Sequence, residues 1–388
     1  MLHDKNAINY EVMGMQINPF IVYGHIPEEY FCDRREEAAK MLSLLSNQQN
    51  VVLASARRMG KSSLVDYVFN KAEIRDNYIT ASIDILDTSN LNEFVFAFGN
   101  AVFEKIARRN ERLMKLFPMV MKSLKASFGY DPVQGTPTFD IKLGDMVRPE
   151  YTLREIFEYL DQAEKRCLVV IDEFQQITNY PEKNVEATLR SFMQKTRNVN
   201  FVFAGSQRRI MSEMFGLEKR PFYNSARQID LEPIPVDIYT QFVKTHFHAA
   251  GKDIESEAVR IVYDTLSGVT LYNQQIMNDA YTITSEGDVC NVEIVNQLID
   301  KLVSENDKRF RELLQFVTEQ QKAVLYAIHA DAPVKAITSG NFTKKHRLKS
   351  PSATQSAMKS LLRANLVTRR EGYYYISDPL LALWLRRR

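Results

Sequence analysis

The run Ser55-Ala56-Arg57-Arg58-Met59-Gly60-Lys61-Ser62 brings together a glycine, a lysine and a hydroxyl residue in an order suited to holding phosphate. The full pattern of such loops is G-x-x-x-x-G-K-[ST], and here Ser55 stands where the first glycine belongs. Gly60 lets the main chain approach closely, Lys61 can reach terminal phosphates, and the Ser62 hydroxyl is a hard oxygen ligand suited to Mg2+. Backbone N–H groups at the start of the following helix point toward an anion, and the helix dipole adds to the attraction. Ser55 still offers its own backbone N–H, so the substitution weakens the match without removing its chemistry. The candidate nucleotide-contacting residues are therefore Ser55, Arg57, Arg58, Met59, Gly60, Lys61, Ser62 and Ser63.

A lone Gly-Lys-Ser also occurs by chance at helix starts, and a second element is needed to decide. "RCLVVIDE", Arg166 to Glu173, reads as an apolar strand ending in two carboxylates. Asp172 is placed to join a Mg2+ shell with Ser62, and Glu173 to orient or deprotonate an attacking water. The alternative is an acidic helix cap after a core strand. With both elements present in order, the combination points to a magnesium–nucleotide site that splits its nucleotide. A further apolar strand, 201–204, is followed by Gly205-Ser206-Gln207. Ser206 there either contacts the γ-phosphate or attacking water, or belongs to an ordinary turn. Phosphoryl transfer also wants a cation on the developing charge. The candidates are Arg57, Arg58, Arg190, Arg208, Arg209 and Arg227, and Arg227 is favoured as the catalytic one.

The elements that position these residues alternate in type. Helical spacing over 35–46 is followed by an apolar strand at 51–53, the loop, and a helix over 61–71. Strands at 78–85, 167–171, 201–204 and 230–231 alternate with helices at 92–109, 154–165 and 184–197. A Gly/Pro-containing segment at 128–143 reads as a hairpin insertion. Alternation of this kind indicates a mostly parallel α/β sheet covered on both faces. After the segment Glu232 to Pro235 the pattern turns entirely helical through about Arg309. From Thr318 it fits a winged helix: helices near 319–330, 338–345 and 350–367, then a β-wing turning at Glu371-Gly372.

The chain as a whole limits what it can be. Its 388 residues exceed one ordinary core, and 45% apolar with 25% charged residues is a globular balance. No window has the run of uncharged apolar residues that a membrane helix needs, so no membrane partner is expected. Three widely spaced cysteines suggest neither a disulfide framework nor a zinc site. The opening residues lack a basic start followed by an apolar stretch, and a cytoplasmic location is expected. Net charge is +2, but residues 331–388 hold twelve Lys or Arg against three Asp or Glu, a local +9 that leaves −7 for the rest.

"YFCDRREE", "ASARRMGKSSL", "LVVIDEFQQI", "VFAGSQRRIM", "RPFYNSARQIDLEPI", "LSGVTLYNQQ" and the closing "SDPLLALWLRR" together resemble the archaeal-type P-loop ATPases. That group is related to the signal-transduction branch of the AAA+ class. The resemblance implies a P-loop NTPase core of the ASCE division, a helical lid and a C-terminal winged-helix domain, with ATP and Mg2+ as cofactors. Gly60, Lys61 and Ser62 then take the loop roles, Asp172 and Glu173 the metal and water roles, and Ser206 the γ-phosphate sensor role. Arg34 is placed near the base or the lid. The expected division is a core over 1–232, a lid over 233–309 and a winged helix over 310–388.

The winged helix leaves two readings open. Leu361, Leu362 and Leu366 can face its core while Ser352, Gln355, Lys359 and Arg363 face out, which with the local +9 suits duplex DNA. Such modules also serve as contacts for a protein partner or a homo-oligomer. The apolar "DPLLALWL" is expected to pack back on the chain or on another subunit, with Trp384 as a core anchor. Three functions follow: an ATPase whose nucleotide state repositions a lid and winged helix, a nucleotide-dependent switch with negligible turnover, and a DNA-binding regulator.

Overall fold

The computed structural model describes residues 17–106, 111–120, 127–131, 136–140 and 148–387. These form two compact units, one over 34–232 and one combining 17–33 with 233–387.

The first unit runs α1 (Arg35–Ser46), β1 (Val51–Ser55), α2 (Lys61–Phe69), α3 (Ala72–Arg75), β2 (Tyr78–Asp84), α4 (Leu91–Lys105) and α5 (Glu111–Val120). A hairpin of β3 (Ser127–Asp131) and β4 (Thr136–Asp140) follows, then α6 (Pro149–Asp161), β5 (Arg166–Asp172) and a 3-10 helix over Phe174–Asn179. It ends with α7 (Val185–Lys195), β6 (Val199–Gly205), α8 (Arg208–Gly216) and β7 (Arg227–Leu231). The expected hairpin over 128–143 falls on the antiparallel β3–β4 pair, and its residues 132–135 and 141–143 lie outside the described ones.

The five long strands order as β2-β5-β6-β1-β7, all parallel. Every strand therefore delivers its C-terminal end to the same edge, where open α/β sheets bind ligands. Strand β6 separates β1, which leads into the Gly60-Lys61-Ser62 loop, from β5, which ends in Asp172.

Side-chain alternation splits the sheet's burial between two faces. Val52, Ala54, Val169, Ile171, Phe201 and Phe203 join a core with α4, α6 and α7, in which Phe98, Phe157 and Phe201 stand in aromatic contact. Val51, Leu53, Val170 and Val202 are buried on the opposite pleat. β5 and β6 are buried almost throughout, which explains why both read as unbroken apolar runs rather than alternating ones.

The second unit begins with residues 17–33, which had been expected in the core domain, and the structure corrects that. Phe20 is fully buried and its ring meets Phe242, Phe247, Tyr281 and His246. Asn18 donates to the carbonyl of Asn278, and Asn278 donates back to the carbonyl of Phe20. The partners that satisfy this segment lie over 200 residues away in sequence, so local pattern could not assign it.

Helices α9 (Val236–Ala249), α10 (Ser256–Thr265), α11 (Thr270–Ile283) and α12 (Val292–Glu305) make up the helical segment expected as a lid, with a two-residue bridge of β8 (Asp253–Ile254) and β9 (Val289–Cys290). The chain continues through α13 (Asp307–Gln315), α14 (Glu319–Asp331), α15 (Gly340–Lys345) and α16 (Pro351–Arg363), then β10 (Val367–Arg370), β11 (Tyr373–Ile376) and α17 (Pro379–Arg386). α14 starts with a capping box made by Thr318 and Gln321. At the wing tip Glu371 and Gly372 both have positive φ, 50° and 86°, which is the conformation of a type I′ turn. One hydrophobic core runs from helices α9–α12 into the winged helix. The C-terminal α17 packs back on the chain through Leu380, Leu381, Trp384 and Leu385, and Trp384 donates its indole N–H to Asp307 at 2.9 Å.

Asp378 closes this junction. Its carboxylate accepts from the Tyr272 hydroxyl at 2.9–3.0 Å, from the Arg309 guanidinium at 3.1 Å, and from the Leu380 N–H at 3.0 Å as the cap of α17. Asp378→Ala removes a cap and leaves the almost fully buried Tyr272 hydroxyl without this acceptor. It should lower stability by about 3 kcal/mol, read as a fall in denaturant midpoint at unchanged slope.

Candidate active site

The loop between β1 and α2 gets its shape from two left-handed residues. Arg58 has φ 67° and Gly60 has φ 87°. A Cβ on Gly60 would meet nothing within 4 Å, so backbone conformation rather than space calls for glycine there. Ser55 is different. It is the last residue of β1, fully buried, paired with Leu231 in the ladder, and outside the positive-φ set. Its hydroxyl donates to the Ala56 carbonyl at 2.8 Å. Serine therefore replaces the first glycine of the pattern without backbone strain.

Gly60 caps α2 with no side-chain acceptor, and Lys61 opens the helix with its side chain buried. Burial pushes the Lys61 ammonium below its ordinary pKa. Asp172 and Glu173 pull it back upward, while Arg57 opposes them. Asp172 is raised by burial in turn, and lowered by Lys61 and by the Glu173 N–H, which donates to its Oδ1 at 2.9 Å. The loop lysine thus faces the carboxylates that end β5, although the two segments lie far apart in sequence. Parallel pairing makes this meeting unavoidable: β1 and β5 both flank β6 and end at the same edge.

The Ser62 Oγ lies 3.5 Å from Asp172 Oδ2. One hydroxyl and one carboxylate are a small set of hard oxygen ligands. They fit Mg2+, which keeps several waters and takes other ligands from substrate phosphates. Among the described residues no group of three or more His, Cys, Asp or Glu forms a metal cage.

Glu173 follows in a left-handed conformation, φ 54°, at the entry to the 3-10 helix. Its side chain is largely buried, and its Oε2 accepts from Ser206 Oγ at 2.6 Å and from Gln175 Nε2 at 2.5 Å. Ser206 lies just beyond the end of β6, whose Gly205 pairs with Ala54 of β1. The structure thus joins Ser206 to the Glu173 side of the site.

Asp84 was not singled out from the sequence. It ends β2 in register with Asp172, and its charge acts on both Lys61 and Asp172. The sequence held a signal for it, since the β2 strand closes on a carboxylate as β5 does. A cavity of about 740 Å3 adjoins these groups, lined by Ser62, Asp66, Thr80, Ser82, Asp84 and Asp172 among others.

The structure corrects the expected place of Arg227. Arg227 begins β7 and pairs with Val51, the first residue of β1. The loop leaves β1 only after Ser55, four residues and about 13 Å further along the strand. Arg227 therefore lies at the opposite edge of the sheet from the Gly60-Lys61-Ser62 loop of this chain, and its guanidinium donates to Gln49. Arg34, for which a place near the base or the lid is expected, is buried with its guanidinium on the Glu37 carboxylate (2.9 Å) and on the carbonyl of Glu232 (2.6 Å), the residue just before the expected lid begins. It ties the point where the chain enters the first unit to the point where it leaves.

Of the other arginines, Arg208 is on the correct edge and is held by Glu232 and Asp230. Arg209 pairs with Glu213. Arg57 is exposed at the loop tip, while Arg190 is half-buried on α7.

The exposed face of the winged helix matches its expected pattern. Ser352, Gln355, Lys359 and Arg363 of α16 are exposed, and Leu361 is buried. Lys344, Arg347, Lys349, Arg369 and Arg370 are exposed on the same domain. Lys345 is instead held by Asp331 at 2.7 Å, beside His346. Among the described residues no helix is long and apolar enough to cross a membrane.

Comparison with known proteins places the fold. The family described as a probable winged helix domain matches residues 308–387. The Walker-type ATPase of Pyrococcus abyssi superposes with a TM-score of 0.65 at 16% identity, over 95% of this chain and 99% of that one. The Aeropyrum pernix ORC2 protein, solved in ADPNP–ADP complexes, gives 0.58 at 13% identity over 95% and 96%. The Aeropyrum pernix ORC1 protein, solved with DNA, gives 0.51 at 12% identity over 92% and 93%. No curated protein matches the chain by sequence. The fold is that of the P-loop ATPases, ending in a winged helix.

Proposed function

We propose that the chain is a Mg2+-dependent ATPase whose nucleotide state acts on its lid and winged helix. The observation that carries this reading is the convergence of Lys61, Ser62, Asp172 and Glu173 at one sheet edge, with Ser62 and Asp172 3.5 Å apart. The fold shared with proteins solved as a Walker-type ATPase and in ADPNP–ADP complexes supports it.

In this reading the N–H groups of the loop and of the first turn of α2 hold the phosphates. Lys61 supplies a desolvated positive charge to the terminal ones. Ser62 and Asp172 would hold Mg2+, which when bound neutralises phosphate charge and orients the chain of phosphates. Glu173 accepts the proton of the attacking water, and its own carboxylate is steadied by hydrogen bonds. Ser206 senses the γ-phosphate from the end of β6. Arg57 at the loop tip is a candidate for the added positive charge, in place of Arg227. ATP binding to the purified chain should require Mg2+ for full affinity, and Asp172→Asn should remove most of that dependence. Binding that ignores Mg2+ in both proteins would contradict the site.

Because the lid and winged helix share one core, they respond to the nucleotide as a single body. The chain passes between the units twice, at 33–34 and at 232–233. The Arg34 guanidinium, bonded to the Glu232 carbonyl, ties these crossings together.

A second reading, contact with duplex DNA, is favoured by the exposed cations around α16 and by the DNA-bound ORC1 neighbour. Its log–log salt slope should fall by about two units when Lys344 and Arg347 are both replaced by Ala. Lys345→Ala should change it less, because Asp331 already neutralises that charge. A slope unaffected by the double change would assign the basic face to another partner.

A further inference from the structure

Gln175 is buried, and its two amide ends are treated very differently. Nε2 donates to Glu173 Oε2 at 2.5 Å. Oε1 is buried and has no hydrogen-bond partner. Reversing the amide would set a carbonyl oxygen against a carboxylate oxygen, so charge fixes the orientation seen. A buried acceptor left unpaired is costly. Leucine would fill this volume without that cost, so packing alone does not call for glutamine.

The neighbouring backbone makes room for the amide. A Cβ on Gly205 would sit 2.5 Å from Gln175 Oε1 and 2.6 Å from Met211 Sδ. Only glycine leaves the amide where it is. The Glu173 backbone is also fixed, since its N–H donates to Asp172 Oδ1 and its carbonyl accepts from the Gln176 N–H at 2.8 Å. Ser206 Oγ donates to the same carboxylate oxygen as Gln175. Both side-chain donors thus converge on Oε2, and Oε1 is the oxygen left to face a water.

We propose that Gln175 is a positioning residue, whose amide fixes the Glu173 carboxylate by one oxygen so that the other is presented to the attacking water. This rests on the hydrolytic reading above. If Ser206 turns to the γ-phosphate of bound ATP, Gln175 becomes the donor that keeps Glu173 in place. Positioning of this kind matters because an error of about 1 Å in a reacting group can cost about 100-fold in rate.

The test is Gln175→Leu, which keeps the volume and removes both the donor and the unpaired acceptor. The lost donor and the removed unpaired acceptor offset each other, so the variant should fold with a denaturant midpoint close to that of wild type. Its kcat for ATP should fall about 100-fold with KM unchanged, and the same substitution in a Glu173→Gln background should have no further effect. Crystals of the nucleotide-free variant should show the Glu173 carboxylate displaced or divided between rotamers. Wild-type kcat in Gln175→Leu, while Glu173→Gln is inactive, would overturn the proposal. So would a full loss that persists in the Glu173→Gln background, or a carboxylate that has not moved. If wild type itself fails to hydrolyse ATP, the hydrolytic reading falls, and the two crystal structures still decide whether Gln175 positions Glu173.

Discussion

Lys61→Ala should raise the dissociation constant for Mg2+–ATP by at least about 100-fold while leaving the fold intact. The ammonium is held in a buried position, where charge-assisted hydrogen bonds to phosphate are strong. Loss of about 3 kcal/mol of such contacts corresponds to roughly two orders of magnitude in affinity. The fold should tolerate the change because the ammonium is already destabilised by burial, which lowers its pKa. Removing it relieves that penalty but leaves Asp172 and Glu173 without their facing cation. The two effects oppose each other, so the thermal midpoint should shift by only a few degrees. Titration of a fluorescent ATP analogue into wild type and Lys61→Ala measures the first effect, and a melting curve the second. Equal affinity in the two proteins would mean that the loop does not hold phosphate.

Glu173→Gln should separate binding from turnover. The substitution preserves size and leaves Lys61, Ser62 and Asp172 in place, so ATP affinity should stay within about twofold. Turnover should fall about 1,000-fold, the scale expected when a positioned general base is lost. Two donors, Gln175 Nε2 and Ser206 Oγ, now converge on one Glu173 oxygen. A glutamine there can place its own carbonyl oxygen against them, so the local network survives without the base. A single-turnover assay with radiolabelled ATP reads this directly. Loss of affinity together with turnover would point to a binding role for Glu173.

The short linear features of this site were legible because their chemistry is local. Gly60, Lys61 and Ser62 stand together in one turn of backbone, as the proposed phosphate loop demands, and Asp172 closes an apolar strand with Glu173 next in the chain. Ser206 was visible only as a polar residue at a strand end, and three-dimensional pairing was needed to bring it to Glu173. Gln175 gave no signal, since its meaning comes from a hydrogen bond and from the glycine across from it. Arg227 was misread for a related reason. A strand's residues can be recognised locally, but which of its ends meets the loop is set by register with β1.

The fold divides along the same line. The alternating strands and helices gave the parallel sheet, and the wing turn at Glu371-Gly372 was readable from residue type. The placement of residues 17–33 was not, because Phe20 finds its partners on α9 and α11. The lid and winged helix were expected as separate domains, yet Asp378 joins the two segments, accepting from Tyr272 106 residues away and from Arg309 69 residues away. The apolar run at the C-terminus showed that something must be buried, without showing where.

The most direct measurement is inorganic phosphate released from ATP by the purified wild-type chain, in the presence of Mg2+ and again after chelation with EDTA. The site described here predicts steady release with Mg2+ that stops on chelation. No release at any ATP or Mg2+ concentration, or release that chelation leaves unchanged, would contradict it.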